Sequence, residues 1–480
     1  MSKDHAARGL SSSRAVGFAG SALVAVGGLG AGALPIGIPY LPGLQHARLG
    51  LVCVYSGLAL LLLAWWWYGR VTRGGNADES CRTAWRTLAL WVAPLLLAPP
   101  LFSRDVYSYL AQGLMIDSGV DVYRHGPSVL GGLVADQVPA IWQHTPSPYG
   151  PVFLIVAEIV AGLLRSHLLL GVIAMRLVAV AGLALLAGAV PELARSTGVR
   201  PSAATWLAVL NPLVLIHLVG GAHNDALMVG LLAAGLAAAV RHRPVVATLL
   251  IAAAALVKWP AALGLFAVAA IWTSQLSGRW PWARAAAAVT ATATAATVVI
   301  TTVAGTGYGW ISALDTPISA QNWSLTSSLG RWTAALLAHD AVGTALAEGL
   351  WRWAGVLATL IVAGLVWTYR AHLGPVYGLG IVLVAVVAFG PAIRPWYVLW
   401  GLVPLAAVAE DRRVRRLLAV LCAGLVLVVL PDGFAADPER VLLAVLGALI
   451  GIAAFLVVRL LVAPVTPRLA WAVPGRRTTR

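Results

Sequence analysis

Apolar windows of about 18 residues or more recur from one end of this 480-residue chain to the other, and no other feature constrains the fold as strongly. In hydrocarbon every backbone N–H and C=O has to be paired internally, so such segments can be only helices or strands of a closed barrel. The runs are long, continuous and rich in Ala, Leu and Val, with Gly and Pro scattered inside, whereas barrel strands alternate over about ten residues. The chain therefore reads as an all-α polytopic membrane protein. With 60% hydrophobic and 11% charged residues, no stretch is left for a separate soluble domain, and residues 1–480 read as one membrane-embedded domain.

Candidate spans fall at 15–38, 48–68, 85–101, 168–190, 202–219, 225–240, 245–257, 259–275, 283–304, 350–369, 374–390, 395–409, 414–431 and 440–463. Two more segments, 150–165 and 332–349, are short or amphipathic, and the expectation is about 13 to 16 transmembrane helices in all. Basic residues precede the first apolar stretch, but no short apolar region with an A-x-A-like cleavage site follows them. Val16 to Ile38 is accordingly expected to be a retained anchor.

The net charge of +15 has to be read first as a topology signal. Lys3, Arg8, Arg14, "GRVTRGG" with Arg82 and Arg86, "RHR" at 241–243, "DRRVRR" at 411–416 and the tail "GRRTTR" mark one face as cytoplasmic. The charge thus implies a bilayer, specifically a multi-pass place in the cytoplasmic membrane, and no nucleic-acid partner. Counting from an inside N-terminus, three spans put a large loop, 102–149, outside, and it carries Asp105, Asp117, Asp121 and Asp136 against two arginines. Taking 150–165 as a half-membrane or interfacial segment keeps "RHR" inside and "GGAHND" at 220–225 outside. The outer face then gathers 102–149, "GGAHND", Lys258, "RPWY" at 394–397 and a second loop, 305–350.

Those places hold the residues capable of chemistry. Asp105, in "LFSRDVYSYLAQG", sits where a helix leaves the apolar region; a carboxylate there can accept a hydroxyl proton, or it can cap a short helix together with Ser103. His223, Asn224 and Asp225 meet at a helix start after a Gly pair, as a polar cluster or as a simple N-cap. Lys258 ends the run "AAAALVKWP", and Arg394 lies in "GPAIRPWYVLW"; each either snorkels to the surface or meets an anion. Beside Arg394, Trp396 and Tyr397 are belt aromatics or a stacking platform for a sugar. In "HTPSPYGPVF", Pro146, Pro148 and Pro151 fix the backbone around Tyr149. No phosphate loop, dinucleotide fingerprint or Cys/His metal spacing occurs, and Cys53, Cys81 and Cys422 stand far apart.

The motifs "SRDVYSYLAQG", "PSPYGP", "GGAHND", "VKWPA" and "RPWYVLWGLVPL", in this order between about residues 85 and 410, resemble those of the actinobacterial polyprenol-phosphomannose-dependent alpha-1,6-mannosyltransferases, membrane glycosyltransferases of the GT-C type. The resemblance implies a GT-C fold whose first external loop carries the catalytic acid, here Asp105. It implies transfer of mannose from polyprenyl phosphomannose to the 6-hydroxyl of a mannan, lipomannan or phosphatidylinositol-mannoside-type acceptor on the outer face, with inversion. Asp105 is then the general base, and Lys258 and Arg394 are assigned, from charge and position, to the leaving phosphate. His223, Asn224 and Asp225 are expected to meet sugar hydroxyls, and Tyr149, Trp396 and Tyr397 to line the sugar or carrier path. Arg104 and Tyr109 are counted among the substrate contacts. No resident cofactor or metal is implied, since the lipid-linked sugar is a substrate.

Two other readings use the same residues. A related transferase takes another polyprenyl-phosphate sugar, such as arabinofuranose, or another acceptor. A lipid-linked sugar transporter also uses intramembrane charges, and Glu158 and Arg176, both within apolar stretches, are the features that speak for it.

Overall fold

The computed structural model of the chain describes residues 3–37, 47–72, 77–165, 167–312, 324–338, 340–433 and 437–462. The basic tail and the start of "QNWSLTSSLGRW" lie outside the described residues. The first ten helices are α1 (Lys3–Ala31), α2 (Ala47–Val71), α3 (Ala77–Leu96), α4 (Asp105–Asp117), α5 (Gly132–Gln137), α6 (Ala140–Gln143), α7 (Pro151–Leu163), α8 (Leu168–Ser196), α9 (Pro201–Ala208) and α10 (Asp225–Val240). They are followed by α11 (Pro244–Ala255), α12 (Gly264–Gln275), α13 (Pro281–Ala304), α14 (Leu325–Leu337), α15 (Ala341–Thr368), α16 (Arg370–Leu373), α17 (Pro375–Phe389), α18 (Leu399–Val408), α19 (Arg412–Leu425) and α20 (Pro438–Val462). No strand occurs among the described residues.

Local sequence sets many of these boundaries. Proline stands at the first position of α7, α9, α11, α13, α17 and α20, where its fixed φ suits a helix and its missing N–H has no partner to lose. Side-chain caps start others: Ser324 accepts from the Ser327 N–H, Asp340 from Gly343 and Asp411 from Arg413.

Among the described residues, six helices are long and apolar enough to cross a membrane: residues 7–31 of α1, then α2, α8, α13, α15 and α20. A seventh span is counted if the Val214–Gly220 segment and α10, bent by 117°, are taken together. The core is built from α8, α9, α10 and α18, whose inward faces are almost wholly shielded. The rim is inverted relative to a water-soluble protein. On α15, Leu346, Leu350, Trp353, Leu360 and Leu365 are exposed, and α20 exposes Leu442, Leu449, Leu456 and Leu460. Surfaces of that size and composition are stable against lipid and not against water.

Several expected spans are remodelled. The 202–219 run is not one helix: α9 stops at Ala208, and a π-helical segment, Val214–Gly220, follows. Asn211 makes the break, its amide donating back to the Leu207 carbonyl (2.6 Å) while its carbonyl accepts from the Val214 N–H (3.0 Å). The 332–349 segment is also not a unit, because it contains the end of α14, the Asp340 cap and the start of α15. The 85–101 span begins earlier, at Ala77, and ends at Leu96.

One buried cation organises the central connections. Arg176, on α8 and fully buried, donates to the carbonyls of Leu96 (2.9 Å), Ala98 (2.6 Å) and Pro99 (3.0 Å) behind α3, and to Val219 (3.0 Å) and Gly220 (3.1 Å) before α10. It therefore ties the chain leaving α3 to the end of the π-helical segment, a structural duty that removes one support for the transporter reading. Replacing it by Met removes these five hydrogen bonds and leaves the Val219 and Gly220 carbonyls only their backbone donors, Ala222 and Leu101. Arg176→Met is expected to cost about 3 kcal/mol or more and Arg176→Lys to recover only part of that, read as the thermal midpoint of the detergent-solubilised protein; an unchanged midpoint would sink the assignment.

Candidate active site

The two segments held by Arg176 lead directly into the polar cluster at one end of the bundle. Behind Pro99, the Leu101 N–H donates to Gly220 O (3.2 Å) and the Phe102 N–H to Pro431 O (2.7 Å), and then α4 begins at Asp105. Phe102 (φ 62°) and Ala222 (φ 53°), one in each segment, adopt left-handed backbone that costs a non-glycine residue about 1–3 kcal/mol. Such strain persists only where the surrounding bonds leave no alternative, and it is characteristic of sites.

The α4 helix presents Asp105 and Tyr109, one turn apart, on the same face. Ser103 Oγ accepts from the Asp105 N–H (3.0 Å), so the capping duty falls to Ser103 and the Asp105 carboxylate is left free of it. That carboxylate lies 3.5 Å from His223 Nδ1, which also sits 3.4 Å from the Tyr109 hydroxyl. The Tyr109 hydroxyl also donates to Asn224 Oδ1 (3.5 Å). Neither Asn224 nor Asp225 makes a capping hydrogen bond at the start of α10, so their side chains serve the cluster instead.

Asp225 forms the second half of the site. It is fully buried and receives Lys258 Nζ at 3.1 and 3.0 Å on its two oxygens and the Trp400 indole N–H at 2.6 Å. Lys258 is only 13% exposed and lies 4.4 Å from the Tyr397 ring centroid, 5.2 Å from Trp400 and 5.9 Å from Tyr149. The aromatic cage satisfies the ammonium where water cannot. Tyr397 in turn stacks on Trp400 at 4.5 Å, and Trp396 stacks on His223 at 4.0 Å.

Tyr149 reaches the cage because "PSPYGP" lies along the end of α11, with Gly150 N–H donating to Val257 O (3.4 Å) and Val152 N–H to Leu256 O (3.1 Å). A Cβ at Gly150 would run into the Leu256 carbonyl, so the approach requires glycine. Tyr149 then packs edge-on against Tyr109 (5.4 Å) and Phe153 (5.3 Å).

The charges assign different roles to the two acids. Burial pushes the Asp105 carboxyl above the ordinary carboxylate range, against the pull of Arg394, then of Lys258 and of the Ser103 hydrogen bond. Its side chain remains 25% exposed and so can still be reached from outside. Arg394, half-buried, makes no hydrogen bond or ion pair among the described residues. Arg104 turns elsewhere, donating to Leu34 O (2.9 Å) and Gln137 O (3.4 Å) and lying over the Tyr107 ring (5.0 Å). It fastens the loop to the end of α1 and is not brought into the cluster.

Two members of this site are not singled out in the sequence. Trp400 lies in "RPWYVLWGLVPL" but is indistinguishable there from a lipid-facing tryptophan. His217 is fully buried in the π-helical segment, with its ring 5.6 Å from Phe102 and 5.2 Å from Trp396; an imidazole in the middle of "NPLVLIHLVGG" is the signal that could have found it. Among the described residues no group of three His, Cys, Asp or Glu side chains is placed to hold a metal.

Residues 14–274 match the family model described as alpha-(1->6)-mannopyranosyltransferase, N-terminal domain, and residues 325–459 match an MptB C-terminal domain. The chain is 37% identical over 445 residues to alpha-(1->6)-mannopyranosyltransferase A of Mycobacterium tuberculosis, covering 87% of this chain and 84% of the relative. It is 33% identical over 486 residues to alpha-(1->6)-mannopyranosyltransferase B of Corynebacterium glutamicum, covering 93% and 81%. The bundle is therefore that of a membrane glycosyltransferase. The chain belongs to the alpha-(1->6)-mannopyranosyltransferase family. Both matched regions supply the site: Asp105, His223, Asp225 and Lys258 come from the first, and Arg394, Trp396, Tyr397 and Trp400 from the second.

The Lys258–Asp225 pair yields a stability test. Lys258→Met leaves a buried carboxylate unpaired and is expected to cost about 3–5 kcal/mol, most of which returns in the double variant Lys258→Met/Asp225→Asn. Thermal midpoints of the solubilised variants check this, and additive losses would contradict it.

Proposed function

We propose that the protein transfers mannose from polyprenyl phosphomannose to a mannan or lipomannan-type acceptor, in alpha-1,6 linkage and with inversion, at the outer face of the cytoplasmic membrane. The reading rests above all on one observation: Asp105 is a partly accessible carboxylate with no committed cation, set 3.5 Å from His223 beside a second acid that is fully paired. A base needs the first kind of carboxylate and cannot be the second. The family relationship and a membrane-level site, where a lipid-borne sugar can be met, support the same reading.

In this mechanism Asp105 accepts the proton of the acceptor 6-hydroxyl as that oxygen bonds to the anomeric carbon. The bond from the anomeric carbon to the phosphate oxygen breaks, its electron pair leaves with the phosphate, and a beta-linked donor gives an alpha product. The transition state has oxocarbenium character, as in glycoside hydrolysis. Negative charge grows on the departing phosphate, and Arg394, whose guanidinium has no partner among the described residues, is positioned to stabilise it. Lys258 serves that charge less directly, because its ammonium holds Asp225. His223 and Asn224, both buried, do not meet the sugar and instead hold Asp105 and the Tyr109 hydroxyl in place; the half-buried Tyr149 and Tyr397 line the path with Trp396 buried behind them, and Arg104 holds the loop that carries the base. The GT-C architecture belongs to this proposal as well.

The test uses membranes from a host lacking the activity, polyprenyl phosphate labelled in its mannose and a short alpha-1,6-mannoside. The native chain is expected to extend the acceptor through a 6-linkage, and Asp105→Asn, equally abundant, to lose about 10²–10⁴-fold in kcat. If arabinofuranosyl carriers are used in preference, the donor assignment falls; a fully active Asp105→Asn would make Asp105 structural.

A pH profile tests the base separately. The carboxyl must be ionised to accept a proton and its pKa is raised, so kcat/KM should fall on acidification through a pKa above about 3.9, the usual aspartate value. That limb should vanish from the residual activity of Asp105→Asn, and its persistence there would assign it to another group.

A further inference from the structure

A second charged site lies at the opposite end of the bundle. α2 ends there at Val71, α9 begins there after Arg200, and α19 begins there at Arg412; the α9 path runs from that end toward the candidate active site, and α18 runs from the site back to that end. Between them is a cavity of about 380 Å³ lined by Arg70, Arg200, Arg412, Arg415 and Arg416, with no acidic residue in its lining among the described residues. Its size falls within the usual range for a ligand pocket.

The wall is rigid. The Trp65 and Trp206 rings stack at 4.7 Å, and each indole N–H donates to the other's backbone carbonyl, at 2.8 and 2.9 Å. A Cβ at Gly69 would run into the Trp206 ring, so α2 and α9 approach this closely only with glycine there. Arg415 is held by the Ala409 (2.5 Å) and Glu410 (2.9 Å) carbonyls.

The charge placement runs against the protein's own electrostatics. A helix N-terminus carries a partial positive charge, and cations in the first turn are unfavourable. α19 nevertheless opens "RRVRR", and Arg200 immediately precedes α9, so two positive helix ends and five arginines border one cavity. Asp411 caps α19 and thereby offsets part of this charge, but it does not line the cavity. A topology signal needs basic residues in loops and does not need them gathered around a shared space. Planar guanidinium forks converging from separate elements are instead the arrangement that binds phosphate oxygens.

We propose that this cavity binds the phosphate of an anionic phospholipid headgroup. One of its walls is the end of α2, a helix long and apolar enough to cross a membrane, and Trp66 and Trp206, half-buried at its rim, suit the interfacial zone where such a helix ends. The site is distinct from the transferase centre and does not depend on which sugar is transferred there.

The experiment measures binding of short-chain phosphatidylglycerol, short-chain phosphatidylcholine and inorganic phosphate to the purified full-length protein in neutral detergent, by thermal shift and by native mass spectrometry of retained lipid. Phosphatidylglycerol is expected to bind and phosphatidylcholine not to, with affinity for the former falling about tenfold or more in Arg412→Gln/Arg416→Gln. Arg413→Gln, which removes a neighbouring charge outside the cavity, should leave it within about twofold. Equal binding of both lipids, or an equal effect of Arg413→Gln, would show diffuse charge attraction and overturn the site. Saturation by inorganic phosphate where phosphatidylglycerol fails would overturn the lipid. Both variants should retain glycosyl transfer in detergent, and a misfolded variant would be recognised by its loss.

Discussion

Five backbone carbonyls converge on the guanidinium of Arg176, and the rest of the active end depends on that convergence. Irregular backbone at membrane depth is tolerated only where its polar groups are satisfied by protein or line a cavity. Here the chain is irregular twice, between α3 and α4 and between the π-helical segment and α10, and each irregular stretch carries one half of the polar cluster. A single fixed fork of donors satisfies both. Lysine could not do so, because it has three donors on a flexible stem where these carbonyls need a planar array. What looks in the sequence like an intramembrane functional charge is therefore the fastening for the charged cluster nearby.

The two aspartates of the cluster show how environment divides one chemistry into two tasks. Asp225 stands at the positive end of α10, accepts Lys258 and the Trp400 indole, and is fully buried. Both of its oxygens are engaged, so it contributes a fixed negative charge that keeps Lys258 and its aromatic cage in place. Asp105 receives no such set of donors. Arg394 and Lys258 act on it through space, while burial raises its affinity for a proton. Two carboxylates whose surroundings differ in this way are the usual sign that one is structural and the other reactive.

The helical, membrane-embedded class was legible because hydrocarbon leaves so few alternatives: the length of an apolar run decides most of the fold. α10 falls at 225–240, the span expected, since its residues are apolar all round and its ends carry charge. The break inside 202–219 was not legible, because Asn211 satisfies the interrupted backbone through its own amide, a local geometry that hydropathy averages away. The polar residues at 105, 223–225, 258 and 394–397 stood out as exceptions in an apolar background, and the structure brings those places together. Pairing was beyond the sequence. It gave no sign that Lys258 would be held by Asp225, that Arg104 would turn to the backbone of Leu34 and Gln137, or that Trp400 would donate into the cluster. Each of these contacts joins residues tens of positions apart, so only the fold determines them.

The strain at Phe102 and Ala222 follows from the same geometry. A helix that simply ended at the membrane surface would direct its last side chains into water, away from any lipid-borne group. Bending the chain back through left-handed backbone at both positions keeps Asp105 and His223 within 3.5 Å of one another while leaving a quarter of the Asp105 side chain accessible. The cost, about 1–3 kcal/mol at each residue, is offset by the Leu101 and Phe102 backbone hydrogen bonds and by Arg176. A straighter chain would avoid that cost but would separate the two side chains, so the strain is the condition for placing an accessible acid beside a buried imidazole at the edge of an apolar bundle.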